Sequence, residues 1–229
     1  MGVNACNSIA SGGNYNTVVG DEAGTALTTG DNNVAVGFEA LKTEDGHGQN
    51  VAVGYRALKT LNAGGDAHNT AVGNLAGEDV TTGSANTLIG SLSGMGLTTG
   101  GSNTALGYNS LEVDTAGSKT VAVGFNALQA QNFSSATDSH NTAVGYNAGL
   151  VISTGVQNTF IGSRTGDALT DADFNVAIGD QALTTDTRGS RSIAIGYGAL
   201  STQNFSSATN SYNTAVGHAA GAAVTTGIR

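Results

Sequence analysis

One short segment recurs along almost the whole chain, and this repetition constrains the fold more than any other feature. Asn33-Val34-Ala35-Val36-Gly37 returns with small changes as far as Asn213-Thr214-Ala215-Val216-Gly217. Self-similarity at a short, fixed period is typical of a solenoid, in which each repeat forms one coil and packs on its neighbours. Successive closing glycines are 17, 17, 19, 17, 17, 17, 21, 17, 17, 17 and 21 residues apart; they are Gly20, Gly37, Gly54, Gly73, Gly90, Gly107, Gly124, Gly145, Gly162, Gly179, Gly196 and Gly217.

The composition fits such a repeat better than it fits an ordinary globular domain. The 229 residues include 35 Gly and no Pro or Trp, and most of the apolar 39% is Ala and Val, so a thick core is not expected. The net charge is −9, and the eight Lys and Arg are scattered, which argues against nucleic acid as a partner. No apolar run approaches the roughly 18 residues of a membrane span, so we expect no membrane insertion.

The three residues before each closing glycine predict a short strand. The residue directly before it is always a bulky aliphatic, the next is Ala in nine copies, and the third is Thr, Val or Ile. We interpret the bulky residue as facing the interior and the Ala as facing outward, where a neighbouring surface approaches closely. The exceptions to Ala, which are Val18, Leu88 and Phe160, are then expected to fill an outer seam.

Asparagine occupies the fourth position before the glycine in ten of the twelve copies, with Thr120 and Ser192 in the other two. Stacked coils would align these amides in a structural ladder along one corner of the rod. The ladder residues that we assign are Asn33, Asn50, Asn69, Asn141, Asn158 and Asn213.

A second period of four coils lies over the first. The fourth residue after the glycine follows a Gly-Gly-Leu-Leu order, and Gly73, Gly145 and Gly217 are 72 residues apart. Gly-type units continue with an aliphatic residue and Thr-Thr-Gly, which predicts a second strand and turn. We therefore divide a single solenoid, 1–229, into a ragged partial coil at 1–15 and four-coil blocks with long loops at 59–68, 129–140 and 201–212.

These features predict an all-β fold, a parallel β-solenoid of about twelve 17-residue coils. At 4.8 Å per coil the rod would be on the order of 60 Å long. Because such a rod is thin, we expect identical rods to pack side by side through the outward Ala column as an elongated homotrimer.

The repeat also resembles two known families. Arg191-Ser192-Ile193-Ala194-Ile195-Gly196 looks like the signature of trimeric autotransporter adhesin heads, and this likeness implies a left-handed β-roll. Asn141-Thr142-Ala143-Val144-Gly145-Tyr146-Asn147-Ala148-Gly149 is still more similar to repeats of bacteriophage tail fibres, of the type found upstream of endosialidase-type chaperone domains. The resemblance covers nearly the whole chain.

The sequence gives little support for catalysis, a cofactor or a metal. His68 and His140 occupy the same column about four coils apart, so they are expected to be turn residues rather than shared ligands. The acidic segments Glu44-Asp45-Gly46 and Asp171-Ala172-Asp173 are interpreted as solvated turns, with Ca²⁺ ligation as the alternative. No nucleophile and base pair is recognisable, and we expect no enzyme.

The block-end loops are the candidate receptor-binding sites, through Asn132, Phe133, Ser134, Asn204, Phe205 and Ser206. An exposed Phe beside amides and hydroxyls would suit stacking on a sugar ring. The alternative is that each Phe folds back to cap its own loop. A further aromatic column directly follows the glycines, and we expect it to stack along one edge of the rod; its members are Phe38, Tyr55, Tyr108, Phe125, Tyr146 and Tyr197.

We therefore expect a structural and receptor-binding segment of a trimeric phage tail fibre, located in the virion and outside the cell. Its partners would be two further copies of itself and a host receptor or cell-surface glycan. One alternative is the head domain of a bacterial surface adhesin. Another is an ice-binding solenoid, although adjacent Thr-Thr pairs send one hydroxyl to each face and so fit that function poorly.

Overall fold

The computed structural model describes residues 2–9 and 12–228. This part of the chain is a parallel β-solenoid of about twelve turns of roughly 17 residues, with no helix in either described range. One three-residue strand from each coil enters a single twelve-stranded sheet. These strands are β1 (Thr17–Val19), β2 (Val34–Val36), β3 (Val51–Val53), β4 (Thr70–Val72), β5 (Thr87–Ile89), β6 (Thr104–Leu106), β8 (Val121–Val123), β10 (Thr142–Val144), β11 (Thr159–Ile161), β12 (Val176–Ile178), β14 (Ile193–Ile195) and β16 (Thr214–Val216).

Each strand pairs in parallel with the strand of the next coil, and equivalent residues of the repeat are register partners. Ala35 pairs with Ala52, and Val36 pairs with Val53. The closing glycines stack in the same way. Gly37 has a φ of 134°, and a Cβ there would collide with the carbonyl oxygen of Gly54, so both backbone conformation and close approach demand glycine.

The structure inverts the predicted faces of the strand. Eight of the nine strand alanines have no exposed surface, as at Ala35 and Ala122, whereas Leu106 before its glycine is 44% exposed. The interior is narrow at the sheet because leucines from the opposite wall, such as Leu41 and Leu128, already fill it. Only a small side chain fits between them, so the prediction of an inward bulky aliphatic and an outward Ala was wrong.

The exceptions to Ala do not form an outer seam either. Leu88 and Phe160 are fully buried, and the core makes room for them with glycines on the facing wall. A Cβ at Gly77 or Gly94 would lie 2.7 Å from the Leu88 side chain. The Gly-Gly-Leu-Leu order is therefore an exchange of volume across the core: a large strand residue faces glycines, and a strand Ala faces leucines.

The Thr-Thr-Gly segments form bends rather than a second strand. Residues in the left-handed region flank these segments, as at Glu22 (φ 54°) before Thr28-Thr29-Gly30 and Ala85 (φ 58°) after Thr81-Thr82-Gly83, and they break any extended run. Within residues 2–9 and 12–228, a second side of the coil forms strand pairs only at the ends of the second and third blocks. There β7 (Gly117–Ser118) pairs with β9 (Thr137–Asp138), and β13 (Gly189–Ser190) pairs with β15 (Thr209–Asn210).

Candidate functional site

The asparagine column lies buried at the corner before the sheet and joins successive coils. The Oδ1 atom of Asn33 accepts from the backbone N–H of Asn50 (3.1 Å), and Asn50 does the same for Asn69 (3.1 Å). The Asn158 backbone N–H donates likewise to Asn141 (2.9 Å). Side-chain Nδ2 groups donate to backbone carbonyls 14 residues ahead, including that of Gly227 from Asn213. Each amide thus satisfies backbone groups that the narrow core would otherwise leave unpaired.

The column changes chemistry where Thr120 and Ser192 replace asparagine. At the first of these places Gln131 enters the core from the block-end loop, donates to Thr120 Oγ1 (3.1 Å), and accepts from Asn141 Nδ2 (2.8 Å). Gln203 repeats the arrangement with Ser192 Oγ (2.9 Å). A long polar side chain thereby replaces the shorter amide that the column lacks.

A buried carboxylate accompanies each of these glutamines. Asp114 accepts from Gln131 Nε2 (2.6 Å) and from the backbone N–H groups of Gly117 (3.0 Å) and Phe133 (3.1 Å). Burial raises the pKa of Asp114, while the Gln131 amide and the backbone donors oppose this shift. Asp186 has equivalent partners in the next block, and Glu44 occupies the equivalent position in the first.

The loop phenylalanines are buried. This is the alternative in which each Phe folds back to cap its own loop. Phe133 and Phe205 are each 6% exposed, and a Cβ at Gly189 would lie 2.8 Å from the Phe205 ring. Their rings thus offer no open face to a sugar, because each covers the coil below. The neighbours Asn132, Ser134, Asn204 and Ser206 are exposed. Two of them also bind the rod, since Thr115 and Thr187 hydroxyls donate to the Asn132 and Asn204 side chains.

The aromatic column forms a stack along the edge of the sheet, as expected. Ring centroids are 5.4 Å apart for Tyr108 and Phe125 and 5.5 Å apart for Phe125 and Tyr146, with interplanar angles of 17° and 15°. Phe38 and Tyr55 form a similar pair. The stacked ring faces cover one another, while every ring of the column stays partly exposed.

The outer face of the sheet is an uncharged surface that runs along the rod. In all twelve strands the two outward residues, first and third, are Thr, Val, Ile or Leu. Several of the apolar ones are exposed, including Ile89 (36%), Ile161 (40%) and Val216 (67%). We call these 24 side chains the sheet face. Sequence reasoning missed it because the alternation of small and bulky residues does not say which set is inside.

Charged side chains gather on the turns instead. In the first block Lys42 binds Glu22 (2.5 Å) and Glu39 (2.6 Å), and Arg56 binds Glu39 (2.8 Å). The Lys42 hydrogen bond is the main cause that lowers the pKa of Glu39. Glu39 is buried and its basic partners are about one-third exposed, so these pairs place charge away from the sheet face.

The histidines do not converge. His68 and His140 are exposed turn residues with φ of 54° and 50°, and His218 stacks on Tyr197 at 5.2 Å. His47 lies beside Glu44, with 3.4 Å between Nδ1 and Oε1. In the second of the two acidic segments interpreted as solvated turns, Asp173 accepts the Val156 backbone N–H (2.8 Å).

A helix long and apolar enough to cross a membrane is not found in the described part of the chain. Comparison of the chain with protein-family models, with curated proteins and with solved structures finds no match.

Proposed function

We propose that this chain is a structural rod segment of a homotrimeric fibre, of the kind that forms phage tail fibres outside the cell. The observation that carries the proposal is the uncharged sheet face, which follows the rod through all twelve strands. The resemblance of the repeat to tail-fibre sequences supports the virion as its setting.

The size of the sheet face argues that it is covered. Eleven strand spacings make it about 50 Å long, and its two side-chain columns are about 7 Å apart. With side chains included it covers roughly several hundred Å², and 17 of its 24 side chains are Val, Ile or Leu, so its size is close to that of the largest apolar patch, about 300–600 Å², on a typical soluble monomer. The exposed rings of the aromatic column extend it further along one edge.

Repetition makes another copy of the same chain the natural partner. Every coil presents the same kinds of side chain at the same spacing, so two parallel rods in register meet with equivalent residues at every level. A closed ring of three such faces buries each of them without leaving an open edge. A partner with a different repeat would match only part of the length.

The site chemistry supports a structural role more than a binding one for the loop phenylalanines. Phe133 and Phe205 pack into the rod, so contact with a host-surface glycan would involve the exposed amides and hydroxyls at Asn132, Ser134 and Asn204. Such contacts are weak singly, and threefold display would strengthen them by avidity.

Charge substitutions on the sheet face test the proposal. Val123→Glu with Val144→Glu places two carboxylates in adjacent strands of the face, and we expect monomers in sedimentation while circular dichroism keeps its β-signal. Ser135→Glu with Ala136→Glu, in an exposed loop, is the matched control and should remain trimeric. An unchanged mass for the Val123/Val144 variant would overturn the proposal.

A further inference from the structure

The turn that carries the buried carboxylate has a different sequence in the first block. The second block has Asp114-Thr115-Ala116-Gly117 and the third has Asp186-Thr187-Arg188-Gly189, whereas the first has Glu44-Asp45-Gly46-His47. Histidine thus replaces a glycine, and a second acid replaces a threonine. The two later turns are an internal reference for what this part of the rod needs structurally.

Glu44 is fully buried but has weaker partners than its equivalents. It accepts two long hydrogen bonds, from the backbone N–H groups of His47 (3.2 Å) and Ala63 (3.3 Å). In the second block Gln131 donates to Asp114 over 2.6 Å, and Leu61 occupies the position of this glutamine in the first block. Burial raises the pKa of Glu44. The first block therefore keeps a carboxylate in the core without the amide that binds it elsewhere, which is costly unless a cation or donor compensates.

The imidazole beside this carboxylate is also incompletely bonded. His47 Nδ1 is buried and has no hydrogen-bond partner among the residues that the structure describes. It faces Glu44 Oε1 at 3.4 Å, and one ligand atom each from Glu44, Asp45 and His47 lies within 4.8 Å of the others. An unpartnered nitrogen facing an under-bonded carboxylate marks a place for a cation.

We propose that Glu44, Asp45 and His47 bind a divalent transition-metal ion of the Zn²⁺ class. Two ligand atoms at about 2.0–2.1 Å from a tetrahedral zinc are about 3.4 Å apart, which matches the separation of His47 Nδ1 and Glu44 Oε1. An imidazole with two carboxylates favours zinc, cobalt or nickel over calcium, which prefers oxygen ligands alone. Water completes the coordination.

The neighbouring coils hold this turn in place. Thr28 donates to the Asp45 carbonyl from its backbone N–H (2.7 Å) and its hydroxyl (2.9 Å), and Asn33 Nδ2 donates to the His47 carbonyl (3.1 Å). The His47 side chain is one-third exposed, so an ion can reach the site from solvent. The ligands are thus attached to fixed backbone with an open approach, as a metal site requires.

Calorimetric titration of the whole protein with Zn²⁺ tests the proposal. We expect one ion per chain, a higher melting temperature with Zn²⁺, and at least tenfold weaker binding in His47→Gln. The control His140→Gln removes an exposed histidine and should leave the affinity unchanged. Leu61→Gln should weaken Zn²⁺ binding as well, because the new amide would donate a hydrogen bond to the Glu44 carboxylate, as Gln131 does to Asp114.

Further results separate this site from incidental binding. Co²⁺ should give the visible absorption of a low-symmetry site in the wild type and lose it in the double variant Asp45→Thr with His47→Gly, which copies the later blocks and should keep their fold. The proposal is overturned if millimolar Zn²⁺ does not bind, if His47→Gln and His140→Gln have equal effects, or if Ca²⁺ binds more tightly than Zn²⁺.

Discussion

Gln131 donates its side-chain amide to Asp114 over 2.6 Å inside the rod, and both side chains are fully buried. Gln203 makes the same 2.6 Å contact with Asp186 one block later. A core made of Ala and Leu does not need this pair for volume, because aliphatic residues such as Leu97 and Ile152 occupy the same column in other coils. The pair instead supplies partners for backbone and side-chain groups where the long loops enter.

Gln131→Leu should destabilise the rod, because Asp114 loses its shortest hydrogen bond and Asn141 loses an acceptor. We expect a loss of about 1–3 kcal/mol in urea unfolding. Asp114→Leu should cost more, since two backbone N–H groups then lose their acceptor as well. Ser135→Ala in the exposed loop serves as the control. Equal losses for the two core variants would contradict this assignment.

The stability of the rod should depend on pH through the protonation of Asp114. Burial raises its pKa in the folded state above the ordinary 3.8, so the folded chain keeps this proton at pH values where the unfolded chain has released it. Its contribution to stability is therefore complete below pH 3.8 and is lost as the pH rises through the folded-state pKa. Relative to Asp114→Asn, the wild type should lose stability from pH 4 to pH 7 in thermal unfolding. A constant difference would be inconsistent with a buried titrating carboxylate.

Volume exchange across the core predicts a rescue experiment. Phe160→Ala should cost about 3–5 kcal/mol, because a fully buried ring is removed. Adding Gly149→Leu and Gly166→Leu should recover much of that loss, since it recreates the Ala and Leu pairing seen at Ala177 and Leu183. Gly149→Leu alone should destabilise, because its Cβ would lie 2.8 Å from the ring. Calorimetric unfolding measures all three, and a rescue variant no better than Phe160→Ala would refute the exchange.

Phe205→Ala separates packing from recognition in the third block. We expect about 3 kcal/mol of lost stability from the emptied ring position, while any glycan-array signal of the folded protein stays unchanged. Ser206→Ala, at an exposed neighbour, should alter stability by less than about 0.5 kcal/mol. Loss of glycan binding with intact stability would point to a recognition role for the ring.

The architecture could be predicted from the sequence because spacing is a property that stacking preserves. A 17-residue interval places Phe125 beside Tyr108 and Asn50 beside Asn33, whatever path the coil takes between them. Such columns can be read from the sequence without knowing the cross-section.

The two faces of the strand could not be assigned in this way. Residues alternate with a period of two, so exchanging inside for outside leaves the pattern unchanged. The outcome depends on the opposite wall, where Leu41 or Leu128 takes the space that a bulky strand residue would need. The Thr-Thr-Gly bends were mistaken for strands because the left-handed conformations beside them, as at Ala85 after Thr81-Thr82-Gly83, occur in residues that rarely adopt them.

The candidate metal ligands were visible in the sequence only as an acidic turn near a histidine. Their significance depends on two facts. Glu44 is buried, and Leu61 stands at the position where the later blocks have Gln131 and Gln203. Comparing the seventh residue after each closing glycine would have located the buried carboxylates, because this column is aliphatic except for Gln131, Gln203 and the three acids Glu44, Asp114 and Asp186.

Sedimentation equilibrium of the unmodified chain tests the central claim most directly. A rod whose sheet face packs on copies of itself should sediment at three times the 22.6 kDa chain mass and should not dissociate on dilution. A single species of 22.6 kDa at every concentration would show that the sheet face stays open to solvent and would contradict the account.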